Sequence, residues 1–473
     1  MRCQSSKRGR LTALQQTPLP GTWDRSQEEL AGLQNAQRRL QALLWSYGYG
    51  EVEVPVLERT DLYLRKLGSQ LASLMFTLTD QYGERLCLRP EFTGSVIRSY
   101  IHQTADLALP LRWQYCGPVF RDGPGQRRQF TQLGAELIGS GTPGAEAELL
   151  ALACQGLTLM GAPSPRLLLG HAGLIPSLFK SIGLSERSRL YLMGHLDLFK
   201  EGDAGLEQLR TGLGELQLTP PDGMPLPNVS SPAADDTLGL LQWFLQVGAN
   251  RPTGRRSSQE IIGRFRMKHQ SLDNPADLER ALQLGVAVSR VRATPSAALQ
   301  EMESILNRFE LECPVLQELR SVLTNLEAFQ LDGVAIEVDF GLSRSLGYYT
   351  GIIFELYADG GRAVGGGGRY DDLIPALGGP SDVPALGFAY TVENLLAACG
   401  PQVMISSAPR ATLVVPETAS DFPEAVRQAD RLRAEGEVVV MEVEPRTEAE
   451  RQAYCKQAGI VHVMLVTAAG VKE

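Results

Sequence analysis

Between Met75 and Ile138 four short runs of strand character follow one another, MFTLTD, GERLCLRP, LRWQYCGPVF and QFTQLGAELIG, punctuated by turns. Short strands in close succession, with helical segments before and after them, predict an antiparallel sheet flanked by helices and exclude a doubly wound parallel sheet. The expected class is therefore α+β.

Helical signals surround this region. Ser26 and Glu29 have capping-box spacing, and Leu30, Leu33, Leu40, Leu43 and Leu44 recur at three and four, so a helix is expected to run from Ser26 to Gly48 or Gly50. VEVPVLERTDLYLR, with apolar residues alternating around Pro55, reads as a short edge segment leading into a second helix. Residues 143–200 alternate helix and strand, and the Pro-rich stretch Leu218–Asp235 is the clearest break in the chain. Leu, Ala and Glu at helical spacing from Thr237 to Leu331 predict an inserted helical module, over about 205–330. Strand signals resume at VAIEVDFGL and GIIFELYADG, a glycine run follows at Gly365–Gly368, and a small β-α-β-α-β unit ending on a third strand is expected over 409–473. Residues 1–20 read as a flexible tail, leaving 21–400 as the core domain.

A length of 473 residues fits two or three domains, and 43% hydrophobic with 21% charged residues is an ordinary globular composition. The net charge of −9 gives no long-range attraction to polyanions, although a local basic groove can exist on an acidic protein. No apolar run approaches the roughly 20 residues that cross a bilayer. The basic start MRCQSSKRGR has no apolar stretch behind it, so a secretory signal is not indicated and a cytoplasmic location is expected, with no membrane partner. Seven dispersed cysteines and five dispersed histidines predict neither a disulfide framework nor a metal site, and no cofactor motif is present.

Several strand segments carry polar groups: Arg89 and Glu91 in LCLRPEFTG, Arg121 after CGPVF, Gln132 and Glu136 in FTQLGAE, Glu337 and Asp339 in AIEVDF. A single polar residue on a strand usually faces water. Gln132 and Glu136, however, share a face if their strand is regular, and Glu337 and Asp339 do likewise. A sheet face bearing carboxylates, an amide and arginines can enclose a small zwitterion. SRSLGYYTG adds Arg344, Tyr348 and Tyr349, the tyrosines offering an apolar wall and a hydroxyl to an imidazole-sized ligand, or one of them serving simply as core. GGGGRYDDL has neither the P-loop nor the dinucleotide-binding pattern, so its glycines are expected to permit a close backbone approach to a ligand or a tight sheet crossing.

In order along the chain, Pro55 in VEVPVLE, LRPEFTG, GPVFR, QFTQLGAELIG, RSLGYYTGIIFE, GGGGRYDDL and ALGFAYTVENL resemble the ordered motifs of the histidine–tRNA ligase family, from about Gly21 to Cys399. The resemblance implies a class II aminoacyl-tRNA synthetase-like fold, a dimer with the segment around Pro55 in its interface, and a C-terminal unit similar to a shortened anticodon-binding domain. It implies that Glu91, Thr93, Gln132 and Glu136 surround the amino group and side chain of histidine and that Tyr348 and Tyr349 line the imidazole pocket. Arg121 matches an arginine that contacts the ATP α-phosphate or the amino-acid carboxylate, and Arg344 matches the family's catalytic arginine.

The departures from the ligase pattern are equally specific. Gly123 stands where a glutamate is expected after Arg121, Asn394 where an arginine clamps the γ-phosphate, and Gly347 where an acidic residue precedes the paired tyrosines. An amide cannot supply the missing charge at a transferring phosphate. GYYTGIIFELY and DVPALGFAYTVENLL are more similar to the ligase paralogue that serves as regulatory subunit of ATP phosphoribosyltransferase in the first step of histidine biosynthesis. That resemblance implies a non-catalytic chain that binds histidine at Glu91, Thr93, Arg121, Gln132, Glu136, Arg344, Tyr348 and Tyr349, with no catalytic residues of its own. It further implies a homodimer within a hetero-oligomer, partnered by the short-form catalytic subunit, which it activates and renders sensitive to histidine. The alternative is an active histidine–tRNA ligase, which the retained Arg344 and the C-terminal unit favour. Few clustered basic residues in that unit argue against tRNA as a partner.

Overall fold

The structure is a computed structural model that describes residues 17–64, 71–103, 107–123, 127–218, 273–342, 347–359, 361–400, 411–467 and 470–472. Arg344, residues 1–16 and the Pro-rich stretch beyond Leu218 lie outside the described residues. Two compact units divide the chain, Met1–Pro401 and Gln402–Glu473.

The first unit opens with a helix, Gln27–Ser46. Its capping box is formed as expected, with the Ser26 hydroxyl accepting from Glu29 N and the Glu29 carboxylate accepting from Ser26 N. Tyr47 caps the other end, and Gly48 follows at φ +82°, a left-handed conformation that favours glycine. After it come β1 (Gly50–Glu51), β2 (Leu57–Arg59), β3 (Thr77–Thr79) and β4 (Arg85–Leu88), then the long hairpin β5 (Leu111–Phe120) and β6 (Gln129–Ile138). β7 (Arg166–His171), β8 (Arg292–Ala293), β9 (Ala335–Asp339), β10 (Ile352–Tyr357), β11 (Gly365–Arg369) and β12 (Ala385–Thr391) complete the unit. β2, β4 and β3 form a small antiparallel sheet.

The other nine strands make one sheet in the order β1-β5-β6-β12-β11-β10-β7-β9-β8, antiparallel throughout except for β1 with β5 and β7 with β9. The expected antiparallel sheet with flanking helices is therefore present. The helix Pro143–Leu159 is buried on nearly every side, from Ala145 through Leu157, which its almost uninterrupted apolar sequence requires. Between Asp203 and Glu327 the described residues form the helices Asp203–Leu218, Pro275–Ser289, Pro295–Arg308 and Pro314–Glu327, together with the short β8.

The glycine run has poor strand propensity, yet Gly365–Arg369 is a strand between β10 and β12. Close approach of backbones explains it. A Cβ on Gly367 would lie 2.0 Å from Gly387 O, and one on Gly368 would lie 2.4 Å from Ile352 O. Tertiary proximity thus overrides local preference.

Arg89 ties two parts of the unit together. Its guanidinium donates to Val54 O at 2.6 Å and Pro118 O at 2.9 Å and lies 3.9 Å from the centroid of Phe92, which stacks on Tyr115 at 4.4 Å. Arg89 is a packing residue, and the expectation that it faces a ligand is corrected. Arg89→Met should lower stability by about 1–3 kcal/mol, because buried carbonyls lose their donors; an unchanged denaturation midpoint would contradict this.

The second unit carries β13 (Ala411–Pro416), β14 (Val438–Met441), β15 (Ile460–Thr467) and β16 (Gly470–Lys472) in the order β14-β13-β15-β16. The sequence predicts three strands here; β16 is a fourth, antiparallel to β15. Val414 and Val466 pack with Ala425, Ala429 and Leu432 of the helix Phe422–Ala434. Leu413, Val415 and Ile460 belong to a separate apolar cluster that includes Tyr454 of the helix Glu448–Ala458.

Candidate functional site

A cavity of about 160 Å³ opens over β6, β11 and β12. It is smaller than the roughly 300–1,000 Å³ of sites for drug-sized ligands, so it suits an amino acid better than a nucleotide. Glu91, Thr93, Arg121, Gln132, Tyr348 and Tyr349 all line it, bringing together six residues singled out in the sequence. Gly365, Gly366 and Gly387 also line it, where the absence of side chains lets the cavity reach the backbone.

Glu91 lies just ahead of the helix Thr93–Gln103, and its carboxylate accepts from Thr93 N at 2.6 Å and Gly94 N at 2.8 Å. Anionic oxygens are favourable at a helix N-terminus, where backbone donors lack partners within the helix. Burial pushes the carboxyl above its ordinary range, and these N–H donors and the Arg121 charge work in the opposite direction. The Thr93 hydroxyl then donates to Glu136 Oε1 at 2.8 Å.

Glu136 has no exposed surface and does not line the cavity. Beneath it, Glu136 Oε1 also accepts from Tyr115 OH at 3.0 Å, and Oε2 accepts a short hydrogen bond from Tyr370 OH. The shared face of Gln132 and Glu136 therefore leads to different positions, one at the wall and one behind it. Gln132 Oε1 is buried without a partner, which makes it an acceptor for a donor brought by a ligand.

Tyr348 is almost fully buried and Tyr349 half-buried; their rings meet at 4.8 Å, and Tyr348 meets Tyr370 edge-on at 5.7 Å. Both tyrosines serve the wall, and Tyr348 is also part of the core.

Glu337 and Asp339 are not brought to this cavity. Glu337 accepts from Arg292 at 2.7 and 2.9 Å and from Arg166 at 3.4 Å; Asp339 accepts from Gly341 N at 2.8 Å and pairs with Lys200 at 3.5 Å. Both are structural ion pairs. Tyr115 and Tyr370, conversely, were not singled out as site residues. No sequence signal marks Tyr115: its pairing with Gly134, where a Cβ would lie 2.7 Å from the Tyr115 hydroxyl, exists only once β5 and β6 are in register.

Positive charge is sparse. Among the described residues lining the cavity, Arg121 alone is cationic; its Nε donates to Pro90 O at 3.0 Å and its guanidinium lies 5.2 Å from the Phe130 ring. Asn394, in the first turn of the helix Val392–Cys399, donates its amide to Ala363 O at 3.4 Å, and Ala363 is part of the wall. The adjacent Glu393 is buried, accepts from Thr131 N and Oγ1, and pairs with Arg25 at 2.5 Å, so the Arg25 charge is taken up there.

A wider groove of about 580 Å³ bordered by Tyr191, His195, Glu207 and Thr211 contains none of the candidate residues.

The antiparallel sheet with its flanking helices is the class II aminoacyl-tRNA synthetase-like fold. The family model described as Histidyl-tRNA synthetase matches residues 21–209 and 269–395, and the chain belongs to that family. Relatives with two different names align over nearly the whole length. A histidine–tRNA ligase of Methanococcus maripaludis is 26% identical over 94% of this chain and 91% of its own. An ATP phosphoribosyltransferase regulatory subunit of Symbiobacterium thermophilum is 30% identical over 96% of this chain and 98% of its own. The fold is also that of a solved Bacillus halodurans protein described as an ATP phosphoribosyltransferase regulatory subunit/histidyl-tRNA synthetase, with a TM-score of 0.68 at 23% identity, covering 95% of this chain and 99% of that one.

Proposed function

We propose that this chain is a cytoplasmic regulatory subunit of ATP phosphoribosyltransferase, that it binds free histidine in the cavity beside Glu91, and that it conveys activation and feedback inhibition to a short-form catalytic partner. The observation that carries the reading is an imbalance within one site. The end suited to an amino acid keeps Glu91, Thr93, Gln132 and both tyrosines, whereas Asn394 offers a neutral amide that is engaged with Ala363 O. Transfer of an adenylyl group builds charge on phosphate that positioned cations must neutralise, and an amide does not replace an arginine in that role.

Two further observations support it. The cavity is small for a nucleotide, and residues 402–473 contain eight Lys and Arg against eleven Asp and Glu, a poor surface for tRNA phosphates. The competing reading, an active ligase, has support in relatives of that name. Histidine-dependent exchange of pyrophosphate into ATP separates the two. The purified chain is expected to give no exchange above the histidine-free background while still binding histidine by calorimetry. Measurable exchange would overturn the regulatory reading.

A further inference from the structure

Thr350 joins the two tyrosine-bearing segments of the cavity wall. Its N–H donates to Arg369 O at 2.8 Å, and its Oγ1 accepts from Asp371 N at 3.0 Å. Those two groups belong to the peptide units on either side of Tyr370, so one residue grips both flanks of that tyrosine while following Tyr349 directly in the chain. The base of this clasp is well fixed. Arg369 pairs with the buried Glu146 at 2.6 Å, Tyr370 N donates to Ala385 O at 2.8 Å, and Ala385 N donates to Asp371 Oδ1 at 2.9 Å. Downstream, Gly351 O accepts from Ala172 N at 2.8 Å, which anchors the segment to the residue after β7. Upstream, the Tyr349 ring lies so close to Gly368 that a Cβ there would be 2.8 Å from it.

We propose that Thr350 is a specificity-determining positioning residue: its hydroxyl fixes the spacing of Tyr348, Tyr349 and Tyr370, and with it the width of the end of the cavity that receives a flat ring. The inference rests on reading the cavity as a seat for free histidine. All three tyrosines line the cavity and Thr350 does not, so Thr350 acts through them without touching the ligand. The Tyr348 ring stands 4.8 Å from Tyr349 and 5.7 Å from Tyr370, and Thr350 is the residue that ties the first pair to the third. Without the Thr350 oxygen, Asp371 N is left as a donor lacking an acceptor, a state the chain relieves by shifting the end of β11 or admitting water. Either change moves Tyr370 relative to Tyr349. A site discriminates between ligands of similar size only while its walls are held within a fraction of an ångström, so the hydroxyl serves selectivity more than overall binding.

Thr350→Val keeps the branched shape and the backbone N–H but removes the acceptor for Asp371 N, whereas Thr350→Ser retains it. In calorimetric titrations Thr350→Val should bind histidine about 10-fold more weakly than wild type, the worth of roughly one hydrogen bond, and Thr350→Ser should recover most of the loss. The deciding readout is the ratio of affinities for histidine and for histidine methylated on its ring. A seat held at one width rejects the added methyl by about 5-fold or more; this preference should shrink towards parity in Thr350→Val and return in Thr350→Ser. A general loss of stability would instead weaken both ligands in step. An unchanged ratio in Thr350→Val, or a ratio that Thr350→Ser fails to restore, overturns the proposal. Hydrogen exchange of the ligand-free protein checks the clasp itself: the Asp371 amide should exchange about 10-fold faster in Thr350→Val than in wild type or Thr350→Ser, and equal rates overturn it. If the exchange rates differ as expected but wild type gives no heat with histidine, the clasp stands and the assignment of histidine as ligand falls.

Discussion

Histidine should bind the Glu91→Ala variant about 10- to 150-fold more weakly than wild type, the loss of a charge-assisted hydrogen bond being worth about 1.5–3 kcal/mol. Among the described residues Glu91 is the one carboxylate on the cavity wall, and burial leaves it little water to stand in for a ligand. Removing it also strips Thr93 N and Gly94 N of their acceptor, so part of the effect could arise from fraying of the helix. Glu91→Gln separates the two contributions in part, because its single amide oxygen can still accept from one of the two backbone N–H groups but carries no charge. The glutamine variant should keep a thermal midpoint above that of Glu91→Ala while losing most of the affinity. Wild-type affinity in either variant, measured by calorimetric titration, would remove Glu91 from the ligand contacts.

Gly387→Ala should be more damaging to the fold than any other single methyl addition at this site. An added Cβ would lie 1.5 Å from Glu136 Oε2 and 2.9 Å from Ala135 O. A free glutamate could swing aside, but this one is held by Thr93, Tyr115 and Tyr370 and has no exposed surface. Either the carboxyl abandons its three donors in the interior or β6 and β12 move apart. Overpacking of this kind costs about 3 kcal/mol or more at the upper end of its range. Histidine binding should be lost along with a fall in the denaturation midpoint. A variant with both properties intact would mean that Glu136 is not pinned as described.

The site shows where a chain's residues are legible and where they are not. Glu91, Thr93, Arg121, Gln132, Tyr348 and Tyr349 were singled out in the sequence, and one cavity gathers all six. Glu337 and Asp339 carried the same alternating signal as Gln132 and Glu136, yet β9 places them in pairs with Arg292, Arg166 and Lys200. Alternation reports which face of a strand a residue occupies; it does not report which elements cover that face. Arg89 likewise looks like a ligand-binding arginine and instead satisfies two backbone carbonyls.

Local physics fixed the elements: the Ser26–Glu29 capping box, the stop before Gly48, the strands of the β5–β6 hairpin and the apolar helix Pro143–Leu159 depend on neighbours a few residues away and could be read in order. The glycine run signals a close backbone approach or a tight sheet crossing, but tertiary structure alone made Gly365–Arg369 a strand, with Gly387 O and Ile352 O too near for side chains at Gly367 and Gly368. It alone moved Glu136 from the wall to the layer behind and recruited Tyr115 and Tyr370 to hold it. Those outcomes depend on contacts between residues 21 and 234 positions apart, and such contacts are set by how sheets and helices close around a volume, which no local pattern encodes.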